Sequence, residues 1–198
     1  MDLDELEAKL EAALDRTMMR ARARHSRAVA ALSAELCERN GLSSAKGRVA
    51  GLAHDLCKEL DLRNQSSLAS IYASISGRSF VSDGVIGEAA LHGPAAAGLL
   101  AGTFGCADEE ILEAIALHTL GSRDMGDLAR ITYAADKLEP GRKHVDPEFR
   151  ARCLLLPPAE LFGAVLASTV EWLRSVGLPV AEESLALYDP AVSRETET

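Results

Sequence analysis

The sequence predicts an all-α protein, a helical bundle folded as one domain. Three observations support this. Hydrophobic residues make up 47% of the chain but aromatics only 4%, so the core must be built from Ala, Leu, Val and Ile. Alanine and leucine are strong helix formers. No stretch shows the strict apolar–polar alternation of a strand. The 198 residues fit one domain with small appendages.

The elements follow in order. Leu3, Leu6, Leu10 and Leu14 recur at helical spacing with acids between them, a first helix within residues 1–17. A second helix covers about 20–39 and stops at Asn40-Gly41. Ser43-Ser44 starts a third that should continue to about Leu60. Residues 65–76 read as a short helix closed by Gly77, and 78–88 as irregular chain. Pro94 opens a helix to about residue 103. Asp108-Glu109-Glu110 starts the next, ending near Gly121, and 124–139 form another, stopped by Pro140-Gly141. After Pro157-Pro158 a last helix spans about 159–176, within a C-terminal segment 157–188 expected to pack on the 18–156 domain. Residues 189–198 read as a polar, disordered tail. There is no internal repeat.

The net charge of −9 argues against a nucleic-acid binder, which ordinarily carries a basic face. An acidic chain can still act on an anionic substrate if metal ions or a few Lys and Arg concentrate positive charge locally. The cysteines Cys37, Cys57, Cys106 and Cys153 form no Cys-x-x-Cys pair, so reduced, buried thiols of a cytoplasmic protein are expected. Met1-Asp2-Leu3-Asp4-Glu5 lacks the cationic start and apolar run of a signal peptide. The apolar stretches are too short to span a bilayer, so no membrane association is expected.

Four of the five histidines sit on or beside apolar helical stripes. His25 continues the face of Val29, Leu32 and Leu36. His54 follows Ala50 by four and lies one turn from Cys57 and Lys58. His118 follows Ile111, Ala114 and Ile115, Asp136 lies on the stripe of Ala129, Thr132 and Tyr133, and His92 stands at a helix start before Gly93-Pro94. Singly, each has an ordinary explanation: a core His with its hydrogen bonds satisfied, or an Asp that caps or pairs. Together, several His and Asp aimed into one core would each be costly to bury. A shared divalent cation offsets that cost for all of them. Imidazole and carboxylate without thiolate suit Fe, Mn or Zn better than Ca or Mg. His144 lies in a polar stretch and is placed at the surface or a pocket rim.

Positive residues gather at the same points. Arg22 lies three before His25, Lys58 a turn after His54, Arg123 past the His118 helix, and Arg142 past the Asp136 helix. Each could be a solvated surface charge. Their repeated placement one turn or one loop from a candidate ligand fits a substrate with several phosphates. Thr119 and Gly121 could bring a hydroxyl and a bare amide to the same anion.

The order His25, His54-Asp55, His92, His118, Asp136 resembles the HD superfamily of metal-dependent phosphohydrolases. The strings Arg22-Ala23-Arg24-His25-Ser26, His54-Asp55-Leu56-Cys57-Lys58, Leu91-His92-Gly93-Pro94, His118-Thr119-Leu120-Gly121 and Ala135-Asp136-Lys137-Leu138-Glu139-Pro140-Gly141-Arg142 are similar to those of the bacterial YqeK-type proteins. Those are iron-binding, symmetrical diadenosine tetraphosphate hydrolases. The resemblance runs from about residue 18 to 188 and implies an HD-domain helical bundle. It implies one or two divalent transition-metal ions, iron first and Mn or Zn as alternatives. His25, His54, Asp55 and Asp136 would hold the first, with His92 and His118 serving a second or the phosphates. Arg22, Lys58, Thr119 and Arg142 would contact the nucleotide diphosphate. Ser26, Leu120 and Lys137 depart from the family's usual Thr, Thr and aromatic residue.

The implied reaction is symmetrical cleavage of diadenosine tetraphosphate to two ADP by metal-activated water, with Asp55 and Lys58 as catalytic residues. Two other functions stay open at this point. One is a nucleotidase or deoxynucleotide phosphohydrolase of the same superfamily. The other is a non-catalytic nucleotide- or metal-binding regulatory module, for which lost ligands would be the sign. The last helix and residues 62–88 carry apolar residues that could form a homodimer face, although covering the core is their simpler use.

Overall fold

A computed structural model describes residues 2–80 and 89–188. Among the described residues there are ten helices and no strand. They are α1 (Leu3–Thr17), α2 (Arg20–Arg39), α3 (Ser44–Ala53), α4 (Leu62–Ser76), α5 (His92–Phe104), α6 (Glu109–Leu117), α7 (Asp127–Leu138), α8 (Pro147–Cys153), α9 (Pro158–Ser175) and α10 (Glu182–Leu187). The expected tail at 189–198 and most of the irregular 78–88 segment lie outside the described residues.

The helix starts follow from short polar caps. Side-chain oxygens of Ser43, Asp61 and Asp108 accept from the first-turn amides of α3, α4 and α6, each worth about 1 kcal/mol. Leu6, Leu10 and Leu14 are fully buried where α1 lies on α3, a burial of roughly 1.5–3 kcal/mol per leucine.

The scarcity of aromatics lets helices approach closely. On α3, a Cβ at Gly51 would stand 2.5 Å from the Ala30 Cα, and one at Gly47 would stand 2.8 Å from the Ser33 carbonyl oxygen. These bare positions, four apart on one face, let α3 lie against the backbone of α2. That contact brings the C-terminal end of α3 beside the His25 face. α4 pairs with α5, α5 with α6, α6 with α7 and α7 with α9. Tyr133 of α7 is buried edge-on against Phe162 of α9.

Several boundaries differ from expectation. α3 stops at Ala53 rather than near Leu60, α6 stops at Leu117 rather than near Gly121, and α5 starts at His92, before Pro94. The last long helix is followed by a further short one, α10. The unexpected α8 has Pro147 in its first turn and is capped by Asp146, which accepts from the Phe149 amide at 2.7 Å. It is only seven residues long, too short to display a periodic apolar face. The early ends of α3 and α6 have a cause in the histidines themselves.

Candidate metal centre

Three helix ends deliver three imidazoles in the same way. His54 closes α3, His118 closes α6 and His92 begins α5. In each case Nδ1 lies on the carbonyl oxygen three residues earlier: His54 on Gly51 at 2.7 Å, His92 on Ala89 at 2.8 Å, and His118 on Ile115 at 2.7 Å. In an unbroken helix that carbonyl would accept from the amide of the residue after the histidine. The side chain takes its place. At His54 and His118 the ladder gives way to turns.

The same bonds fix the rings. A carbonyl oxygen can only accept, so Nδ1 carries the proton and Nε2 presents its lone pair. These lone pairs converge. His92 Nε2 lies 3.0 Å from His118 Nε2, and His54 Nε2 lies 3.3 Å from His25 Nε2. The rings run 25–54–118–92 edge to edge, with centroids 4.9–5.2 Å apart. Gly93 is required for this approach: a Cβ there would meet the Ala116 carbonyl oxygen at 2.9 Å and the His118 ring at 3.2 Å.

Carboxylates complete two groups along this row. His25, His54 and Asp136 offer ligand atoms within 4.8 Å of one another, and so do His54, Asp55 and His118. Asp136 Oδ1 lies 3.0 Å from His25 Nε2, and Asp55 Oδ1 lies 3.1 Å from His92 Nε2. Around Asp55, His92 and His118, lone pairs and a carboxylate facing one another at these distances repel unless a cation lies among them; at His25 a proton can take the cation's place. The donor set, imidazole and carboxylate with no thiol, fits a divalent transition metal. It also shows the supporting shell such ligands need, because every ring has its other nitrogen held.

Burial sets the protonation. Burial pushes the His54 and His118 imidazoles down, keeping them neutral. Asp55 is buried, which alone would raise its carboxyl, but its cationic neighbours, the Lys58 ammonium at 3.1 Å among them, outweigh this and hold it well below the usual range. Asp136 behaves likewise, with Lys137 and His25 overcoming burial. His25 is pushed upward. Burial opposes its charge, but Asp136 and Glu139 favour it more strongly.

Three of the four cationic residues singled out by spacing lie beside these groups. Arg22 Nη1 lies 3.1 Å from Asp55 Oδ2, and Lys58 Nζ lies 3.1 Å from Asp55 Oδ1. Arg142 donates to Asp136 Oδ1 at 2.6 Å, and its Nη2 lies 3.4 Å from His25 Nε2. Thr119 Oγ1 lies 3.1 Å from His118 Nε2, at the edge of an opening of about 310 Å³.

Two expectations need correction. Gly121 lines that opening, but its amide donates to the Leu117 carbonyl at 2.9 Å and is not bare for an anion. Arg123 is exposed on the loop after α6 and does not line the opening.

Two residues quoted in the sequence strings were given no role there. Glu139 is buried and pairs with His25 Nδ1 at 3.1 Å, the role the carbonyls play for the other rings. It follows Asp136 by three, a same-face spacing that could have exposed it. Lys137, noted only as a departure from the family, donates to the His118 carbonyl at 2.8 Å and to Asp136 Oδ2 at 3.2 Å, and lies over the Tyr133 ring. It ties the two ligand-bearing helices α6 and α7 together.

A fold of helices carrying His, His-Asp and Asp on one buried row defines a class, and comparison with known proteins agrees. The HD domain family matches residues 22–141, and the chain belongs to that family. A Staphylococcus aureus protein named bis(5'-nucleosyl)-tetraphosphatase, symmetrical, is 35% identical over 60% of this chain and 58% of its own length. A Halalkalibacterium halodurans protein of the same name is 28% identical over 85% of this chain and 87% of its own. A Clostridium acetobutylicum crystal structure, described as a predicted HD superfamily hydrolase involved in NAD metabolism, has a TM-score of 0.74 at 25% identity. The alignment covers 94% of this chain and 97% of that one. No helix among the described residues is long and apolar enough to cross a membrane.

Proposed function

We propose that this chain is a symmetrical dinucleoside tetraphosphatase, cleaving diadenosine tetraphosphate to two ADP. One observation carries the reading. Three imidazoles are locked by backbone carbonyls with their Nε2 lone pairs facing one another and two ionised carboxylates. Such an array is costly to bury for any purpose other than holding cations. Its completeness speaks against a degenerate, purely regulatory module.

His25, His54, Asp55 and Asp136 would hold one ion, and Asp55, His92 and His118 a second, with iron the metal we assign. When bound, a divalent transition metal supplies Lewis acidity, lowering the pKa of water toward about 7 and polarising phosphoryl oxygens. The remaining work falls to the chain. Asp55 stays ionised, because its neighbours depress its pKa, and keeps its two oxygens directed to the two histidine groups. Arg22, Lys58 and Arg142 flank the row and meet the tetraphosphate chain. In hydrolysis, the water oxygen bonds to a phosphorus and the bridging P–O bond breaks, leaving ADP on each side when the central bridge is the one cut. Lys58 and Arg142 stabilise charge developing on the phosphoryl and leaving oxygens, a preorganised electrostatic role. Thr119 offers its hydroxyl to the phosphates beside His118. We also infer a cytoplasmic enzyme, since all four cysteines are free thiols.

The test is product identification with metal-loaded protein and diadenosine tetraphosphate. ADP alone is expected. ATP plus AMP, or no hydrolysis of this substrate alongside hydrolysis of mononucleotides, would overturn the reading in favour of another activity of the family.

A further inference from the structure

The imidazole row has two ends. At the His118–His92 end lies the opening beside Thr119. At the other end, beside Asp136 and Arg142, lies a separate cavity of about 400 Å³, within the range of small-molecule sites. Val145, Phe149 and Val165 make its lining apolar, and its aromatic wall is a stacked pair. His144 and Trp172 lie with ring centroids 5.1 Å apart and planes inclined by 28°. Trp172 is 41% exposed, a large cost for an aromatic that serves only to cover a core.

From this arrangement we infer that the His144–Trp172 wall is a stacking subsite for one nucleobase of the substrate, with Arg142 holding the adjoining phosphate. The inference rests on the dinucleotide reading above. A dinucleoside polyphosphate needs room for a base beyond each end of the phosphate-binding row. An aromatic face next to a guanidinium matches a base joined to a phosphate: the ring stacks on the indole, and the anion meets the charge. An acidic or purely aliphatic ligand would use only half of these features. Trp172 is thus a specificity-determining residue that favours dinucleotides over polyphosphates without a second base.

Trp172 is the only tryptophan of the chain, so its fluorescence reports this wall alone. Zinc-loaded protein is titrated with ADP, and with inorganic pyrophosphate as the base-free probe. Quenching by ADP and not by pyrophosphate is expected. In kinetics on diadenosine tetraphosphate, Trp172→Ala should raise KM by roughly 5- to 100-fold, carried by KM rather than kcat, with Trp172→Phe restoring most of it. His144→Ala, at an exposed position, should raise KM in the same direction and removes misfolding as an explanation. Unchanged fluorescence with ADP together with wild-type KM in these variants would overturn the subsite while leaving the hydrolase reading intact. Absence of turnover in the wild type would instead overturn the hydrolase reading, and the fluorescence titration would still decide the subsite.

Discussion

The Nε2 atoms of His92 and His118 lie 3.0 Å apart, with each ring's proton held on the opposite nitrogen by a carbonyl three residues earlier. Two lone pairs do not face each other at that distance without a cation. Asp55, whose Oδ1 lies 3.1 Å from His92 Nε2, shares the site. Asp55→Ala should therefore lose at least about 10²–10³-fold in kcat, the scale of removing a central electrostatic group. His118→Ala should lower the metal content of the purified protein. Wild-type turnover in the first, measured as ADP release, would reject the assigned site.

Glu139 gives a sharper test, because its buried carboxylate holds the His25 ring from behind, while its other oxygen accepts from the Gly141 amide. Its carboxylate orients that ring by accepting from Nδ1. Glu139→Gln should weaken metal binding by about 10- to 100-fold, the usual effect of removing an outer partner of a ligating histidine. Calorimetric titration of the metal-free protein with Mn²⁺ measures this. Equal affinities would show that Glu139 does not position a ligand.

Metal binding should also release a proton from His25. Without metal, Asp136 and Glu139 raise its pKa above the ordinary 6.5. In the metal-free fold this pairing contributes stability that is fully present below pH 6.5 and is lost as pH rises through the raised pKa. Metal demands the neutral ring, so the ion competes with that proton. Affinity should fall by about tenfold per pH unit below the His25 pKa. His54 and His118 are pushed the other way by burial and stay neutral over the same range. Calorimetry in buffers of different ionisation enthalpy counts the proton, and a pH-independent affinity between 5 and 8 would contradict the assignment.

Helix spacing predicts opposite effects for two glycines, one at the α2–α3 contact and one where α5 faces α4. Gly51→Ala forces a Cβ to 2.5 Å from the Ala30 Cα, so something in the backbone must shift. A loss of about 1–3 kcal/mol is expected, with weaker metal binding because His54 follows on the same helix end. Gly102→Ala on α5 meets only the Ile71 side chain, at 3.5 Å, an ordinary contact. It should gain up to about 1 kcal/mol from helix propensity. Denaturant unfolding of the two variants checks the signs.

Most of the helices were legible in sequence, and the six His and Asp side chains singled out there lie along one row in the structure. Apolar periodicity gives a helix's face without needing its ends, so the stripes carrying His25, His118 and Asp136 could be read before their partners were known. The ends were harder. His54 and His118 take the carbonyls that would have continued α3 and α6, a side-chain choice that propensity cannot foresee. Helices α8 and α10, at seven and six residues, are too short to show a period. Glu139 was quoted only as part of a motif, because its partner His25 lies 114 residues away and no local pattern pairs them. The Gly121 amide seemed available because a glycine after a helix is usually a turn, but here the turn consumes its N–H. The Trp172–His144 wall joins two segments whose closeness no local pattern encodes.

The claim beneath all of this is that cations lie along the imidazole row. Anomalous scattering from crystals grown with Mn²⁺ tests it most directly. The account predicts a peak shared by His25, His54 and Asp136, with any second peak beside Asp55, His92 and His118. Anomalous density only elsewhere, with the row empty at saturating metal, would contradict it.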